Sequence, residues 1–190
     1  YPAGDEQVIV YEVTGRVVPE GGIPLNVGVV VSNVETALNV LAAVRHQAPV
    51  IEKYVTLTGA VRTPKTVKVP LGITVAEAPA LAGGPTVEHY EVINGGPMMG
   101  RVVRTGSTIT KTTKGLIVVP EGHSLLQSLN RPVPRMLQDA RVACMQCSLC
   151  SEVCPRGLLG HRIQPHKMMR LAAYGALCDP EYTPMNAFLC

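Results

Sequence analysis

The chain has 190 residues, 46% hydrophobic and 16% charged, enough to bury a real core in one or two domains and too apolar for an intrinsically disordered chain. A net charge of +3 is too small to argue for a polyanionic partner, and with no Trp and a single Phe there is little to stack on nucleic-acid bases, so no nucleic acid is expected. No membrane span is expected either, because the richest apolar stretch, Val27 to Val44, is broken by Ser32, Asn33, Glu35 and Asn39.

Residues 1 to about 50 read as a first unit. Gly4 and Asp5 precede an apolar stretch, Val8 to Val13, whose β-branched residues favour a strand while Asp5 offers a helix cap; propensity leaves both open. Pro19 to Pro24 is a turn-rich link, and Val27 to Val31 reads as a buried strand. Ser32 then offers an N-cap with Glu35 at capping-box spacing, and Val34, Ala37, Leu38, Leu41 and Val44 recur at helical spacing as far as Pro49. The start of such a helix is an anion site, where Asn33 and Thr36 would stand as donors; an ordinary capped helix is the plainer alternative.

From residue 51 to about 120 the pattern alternates. Tyr54 to Val61 and Thr66 to Val69 read as a hairpin, and Thr74 with Glu77 predicts a second capping box on a helix that Pro79 keeps short and Gly83, Gly84 and Pro85 end. Further strands are expected at Glu91 to Asn94, near Ser107 to Lys111 and at Leu116 to Val119, together a small β-grasp-like module. The loop from Gly95 to Gly100 holds Met98 and Met99, which suit packing over a flat apolar ligand or docking on a neighbouring domain; it lacks dinucleotide-fingerprint spacing.

Beyond Pro120 the pattern is helical, through Leu125, Leu126 and Leu129, then Met136 to Val142, then His166 to Tyr174. Between the last two lie Cys144, Cys147, Cys150 and Cys154, spaced C-x-x-C-x-x-C-x-x-x-C and closed by Pro155, the ligand run of a bacterial-type iron–sulfur cluster. Three thiolates so spaced can wrap one cluster, and Pro155 stops a helix that would turn the fourth thiol away. A zinc site usually takes two separated pairs, and a disulfide framework spreads its cysteines through a small loop-rich chain. In such runs the fourth cysteine serves the other cluster of a pair, so a second triplet is implied; the chain offers only Cys178 and Cys190 beyond it. Cys178 reads as a small buried residue.

Arg131, Arg135, Arg141, Arg156, Arg162, Lys167 and Arg170 face only Asp139 and Glu152 in this region, a balance that offsets the negative charge of a thiolate-held cluster or steers an acidic partner. His161 and His166 flank the run, and with four cysteines in place they read as structural or surface residues. The cysteines and the lack of a span predict a reducing, soluble compartment. Tyr1 in place of Met and Cys190 where a cluster motif would begin suggest a piece of a longer polypeptide.

Tyr1-Pro2-Ala3-Gly4-Asp5-Glu6, Ser32-Asn33-Val34-Glu35-Thr36, Gly95-Gly96-Pro97-Met98-Met99-Gly100 and the cysteine run, in that order, resemble the family of the NADH-binding flavoprotein subunit of respiratory complex I. Its relatives include the RnfC component of the Rnf electron-transport complex and the cobalamin reductases of propanediol-utilisation microcompartments. Lys111-Thr112-Thr113-Lys114-Gly115, the run from Cys154 to His161 and the run from Pro165 to Arg170 look most like the cobalamin reductases. The resemblance implies an α+β chain: residues 1–50 as the C-terminal part of an FMN/NADH-binding α/β domain, 51–120 as a β-grasp domain of the soluble-ligand-binding (SLBB) type, and 121–190 as a truncated α-helical two-cluster ferredoxin-type domain. It also implies that Asp5 to Gly15 is helical, that Asn33 and Thr36 contact the FMN phosphate, that Ser32 donates where relatives have another asparagine, and that Asp5 and Glu6 lie near flavin and nicotinamide. Cys144, Cys147 and Cys150 would hold one 4Fe–4S cluster and Cys154 the other, whose triplet begins at or just after Cys190.

The activity so implied is electron transfer from NADH through FMN and two 4Fe–4S clusters to cobalamin, in the cytoplasm within a bacterial microcompartment. Partners would be cobalamin or a cobalamin-handling enzyme such as an adenosyltransferase, together with shell proteins. The alternatives are an Rnf-type subunit serving a membrane complex and a non-enzymatic docking module with a structural metal site. The glycine-rich flavin loop of the family would precede Tyr1, so this chain alone is expected neither to hold flavin tightly nor to complete both clusters.

Overall fold

Residues 2–174 and 189 are described by the computed structural model. In chain order the elements are α1 (Glu6–Thr14), α2 (Val34–His46), β1 (Glu52–Gly59), β2 (Lys65–Pro70), β3 (Tyr90–Asn94), β4 (Arg101–Val103), β5 (Gly115–Pro120), α3 (Ser124–Leu129), α4 (Val133–Ala143), α5 (Leu149–Glu152), α6 (Pro155–Leu158) and α7 (Pro165–Tyr174), with 3-10 turns at Pro24–Val27 and Ala78–Ala82. They fall into two units, Asn33–Arg131 and Tyr1–Ser32 with Pro132–Cys190.

The first of these is organised by one mixed sheet in the order β2-β1-β5-β3-β4. The hairpin β1–β2 is antiparallel, and β5 returns to lie parallel to β1 with Leu57 opposite Leu116, which is the β-grasp arrangement the alternating pattern predicts. Inward positions on β1 are Lys53, Val55 and Leu57, alternating with exposed neighbours, and Val55 and Leu57 join Val69, Val92, Leu116 and Val118 in the core. Thr74 and Glu77 form the expected reciprocal cap: Thr74 N–H donates to Glu77 Oε2 at 2.9 Å and Glu77 N–H to Thr74 Oγ1 at 3.3 Å. The Thr74 hydroxyl also donates to Glu77 Oε2, at 2.6 Å, and this bond, followed by that from Thr74 N–H, holds the Glu77 carboxyl below its usual range. A smaller cluster of Ile93, Val119 and Leu126 seats α3.

In the other unit Asp5 caps α1, accepting from Gln7 N–H at 3.0 Å, so local capping and not β-propensity decides the stretch Val8 to Val13. Val10 and Val18 are buried here, as are Cys154, Ile163 and Leu189, which pack as one group with Met168.

Several expectations are corrected. Val27 to Val31 is not a buried strand: Pro24–Val27 closes a 3-10 turn, Val30 is 77% exposed, and no neighbouring strand pairs with the stretch among the described residues. The cap of α2 is Asn33, not Ser32, because Asn33 has the extended backbone and its Oδ1 accepts from Glu35 N–H at 3.0 Å. The apolar stripe Val34, Leu38, Leu41 and Val44 is exposed, and no residue of α2 is buried. Ser107 to Lys111 yields only the bridge Thr108–Thr74, since the turn from Thr110 to Thr113 cuts it short, and the sheet's remaining strand is instead β4, Arg101–Val103. Met98 and Met99 stand exposed on their loop. Pro155, placed at the first position of α6, starts a helix as well as ending one.

Gly59 closes β1 with φ +86°, and a Cβ there would lie 2.1 Å from the Val118 carbonyl oxygen. Gly59→Ala is therefore expected to cost at least about 2 kcal/mol, read as a lowered denaturant midpoint with an unchanged m-value.

Candidate functional site

The cysteine run begins where α4 ends: Cys144 is its C-cap, donating its N–H to the Ala140 carbonyl at 3.0 Å. Two residues of the loop that follows, Gln146 (φ 57°) and Ser148 (φ 63°), adopt the left-handed conformation without being glycine. Such residues cost about 1–3 kcal/mol each and persist where something else holds the loop. They flank Cys147, reversing the chain so that Cys147 and Cys150 are exposed, while Cys154 is buried beside Ile163. All four thiols are free of disulfides. Among the described residues, no three His, Cys, Asp or Glu side chains stand together as a metal cage. The donor set nevertheless fits a cluster: soft sulfur ligands at ferredoxin spacing, on a strained loop that bonds to a cluster would hold. Cys190 and Cys178 lie outside the described residues.

Downstream of Cys154 the chain is clasped to the N-terminal segment. The Arg156 guanidinium donates to Asp5 Oδ2 at 2.9 Å, with both side chains about three-quarters buried. His161 Nε2 lies 2.8 Å from the Val18 carbonyl; since a carbonyl only accepts, Nε2 carries the proton. Arg162 N–H donates to Glu20 Oε1 at 2.6 Å, and this bond, followed by those from the Arg162 side chain, holds the Glu20 carboxyl below its usual range. His166 pairs with Ser151 Oγ at 2.7 Å, tying α7 to the residue after Cys150. Both histidines thus have structural partners. The arginines are not one open positive field: Arg156, Arg162 and Arg135 have carboxylate partners.

The second candidate region is the turn from Ser32 to Thr36. Asn33 and Thr36 are exposed at the start of α2, with the Asn33 oxygen occupied by Glu35 N–H and its amide nitrogen a donor. Glu35 faces the other way. Its carboxylate pairs with Lys53 and accepts Tyr54 N–H at 2.9 Å, with the Glu35 side chain 16% and the Lys53 side chain 8% exposed. The Lys53 bond, outweighing desolvation, holds the Glu35 carboxyl below its usual range. Of the sequence-predicted flavin residues, Asp5, Glu6 and Ser32 fall in one unit and Asn33 and Thr36 in the other. Glu6 is exposed, whereas Asp5 gives one carboxylate oxygen to the cap of α1 and the other to Arg156. Sequence reading missed the roles of Lys53, Glu20 and Arg156; a lysine at an inward position of an alternating strand was the available signal for the first.

Residues 1–42 match the Nuo51 FMN-binding domain, residues 54–102 the SLBB domain and residues 143–190 the 4Fe-4S dicluster domain. The three matches lie in that order along an α+β chain. Over its whole length the chain is 44% identical to the cobalamin reductase PduS of Citrobacter freundii and 43% identical to that of Salmonella typhimurium. It spans 42% of the length of either relative. Over 83% of its residues it is 32% identical to a component of the proton-translocating ferredoxin:NAD(+) oxidoreductase complex of Clostridium ljungdahlii, covering 32% of that protein. No helix among the described residues is long and apolar enough to cross a membrane.

Two substitutions check these geometries. Arg156→Ala strands the Asp5 carboxylate and is expected to cost about 1–3 kcal/mol, with faster hydrogen exchange in α1. Glu35→Gln is expected to cost about 2 kcal/mol at pH 7. Because the folded carboxyl titrates below its unfolded value, the wild-type advantage is full above about pH 4.5 and is lost as pH falls through the lowered pKa. Urea titrations of both proteins from pH 7 to 3 should converge accordingly; a pH-independent gap would contradict the assignment.

Proposed function

We propose that the complete protein takes electrons from NADH and delivers them to the cobalt of cobalamin. The observation that carries this reading is 44% identity, over the whole chain, to a relative named a cobalamin reductase. The nicotinamide donor is supported by the ferredoxin:NAD(+) oxidoreductase relative. FMN, when bound, accepts the two electrons of a hydride and passes them on singly to 4Fe–4S clusters, which take one each.

In this reading the residues divide the work. Asn33 and Thr36, preceded by Ser32, hold the FMN phosphate where the first-turn N–H groups of α2 favour an anion. Glu6 lies toward flavin and nicotinamide, with Asp5 shaping that surface through α1 and Arg156. Cys144, Cys147 and Cys150 hold one cluster; Cys154 serves the second, whose remaining ligands begin at or just after Cys190. The buried position of Cys154 excludes water from its sulfur. The site of action is the cytoplasm, within a bacterial microcompartment, beside a cobalamin-handling enzyme such as an adenosyltransferase and the shell proteins.

Anaerobically prepared complete protein should be brown, with iron and acid-labile sulfide in comparable amounts, and should reduce hydroxocobalamin with NADH. Cys147→Ser should lower iron and sulfide by about half, leaving the second cluster. Cobalamin left unreduced while NADH still reduces an artificial dye would reject cobalamin as acceptor and favour an Rnf-type subunit serving a membrane complex. Colourless, zinc-containing protein would overturn electron transfer altogether.

A further inference from the structure

The FMN-binding match ends at residue 42 and the SLBB match begins at residue 54; Glu35 on α2 pairs with Lys53, one residue before the SLBB match, and accepts from the backbone N–H of Tyr54, its first residue, both on β1. We propose that Glu35 and Lys53 are positioning residues for the FMN phosphate, so that a strand of the β-grasp domain holds the flavin-binding turn in register. The inference rests on the reading of Asn33 and Thr36 as phosphate contacts.

Packing alone does not fix this helix. No residue of α2 is buried, its apolar stripe is exposed, and its half-buried positions are Glu35, Asn39 and Ala42, one face at i, i+4 and i+7. Glu35 is the anchor on that face. Lys53 occupies an inward position of β1, where an unpaired ammonium would be costly, so its bond to Glu35 is obligatory. Tyr54 N–H, at 2.9 Å from Glu35 Oε1, fixes the second carboxylate oxygen.

From the anchor the order passes directly to the turn. Glu35 N–H donates to Asn33 Oδ1 at 3.0 Å, which sets the orientation of the Asn33 amide and leaves its nitrogen as the donor. Thr36 is the next residue along. A carboxylate pinned on β1 thereby aligns both proposed phosphate donors without touching the phosphate itself.

The test uses the complete protein, stripped of flavin and titrated by fluorescence quenching with FMN and with riboflavin, which lacks the phosphate. Glu35→Gln, Lys53→Met and the double variant are each expected to raise the FMN Kd about ten-fold and to leave the riboflavin Kd within about two-fold. The double variant leaves no unpaired buried charge and keeps the test valid if a single variant fails to fold. Asn33→Ala separates the two readings. If it weakens FMN selectively while the Glu35 and Lys53 variants bind as wild type, the phosphate turn stands and the positioning role is wrong. If it too binds as wild type, the turn itself is misassigned and the inference goes with it. Equal weakening of FMN and riboflavin would overturn the positioning role in favour of a general structural one.

Discussion

A charge taken out of water must meet its counterpart, and this constraint organises both units of the chain. In one, Lys53 on an inward position of β1 is met by Glu35; in the other, Arg156 is met by Asp5. Neither pair is local, since Asp5 and Arg156 stand at opposite ends of the chain. Removing one partner would cost more than the pair contributes, so each pair acts as a specification of which segments lie together. The β-grasp sheet could close without Glu35, as its core is aliphatic, but α2 has no buried side chain with which to hold a place of its own.

Elements whose determinants are local are legible in the sequence, and those fixed by a distant partner are not. The hairpin, the Thr74–Glu77 cap and the helices of the last third are written in neighbouring residues, through alternation, turn chemistry and capping, and they appear where those signals lie. The β-branched run in α1 carried a contrary propensity, but Asp5 supplied a cap whose hydrogen bonds are as local as the propensity. Val27 to Val31 failed as a strand for the opposite reason: a strand exists only by pairing, and composition does not name a partner. Arg101–Val103 was missed because three residues are too few to show alternation, and β3 supplies its register.

At the candidate site the division is similar. The cysteine spacing is a covalent fact, so the donor set could be read directly, whereas the left-handed Gln146 and Ser148 were invisible because neither residue type demands that conformation. Asn33 was recognised as a donor, but its capping role was assigned to Ser32, one residue away; both can cap, and only the backbone angles distinguish them. Glu35 was read as half of a capping box and is instead spent on β1, a competition between a local and a distant partner that no local rule decides.

The segment after Cys154 is fixed from outside itself. Arg156 reaches Asp5, His161 reaches the Val18 carbonyl and Arg162 reaches Glu20. All of these bonds go to residues 5–20, so the backbone leaving the fourth thiol is set by the N-terminal segment as well as by its own helix. His161 illustrates the consequence. With its Nε2 proton committed to the Val18 carbonyl and the ring buried, it serves as a strut between the two segments. Asp5 is constrained in the same way: one oxygen caps α1 and the other holds Arg156. Glu6, by contrast, stands exposed at the start of α1, the helix that Asp5 caps.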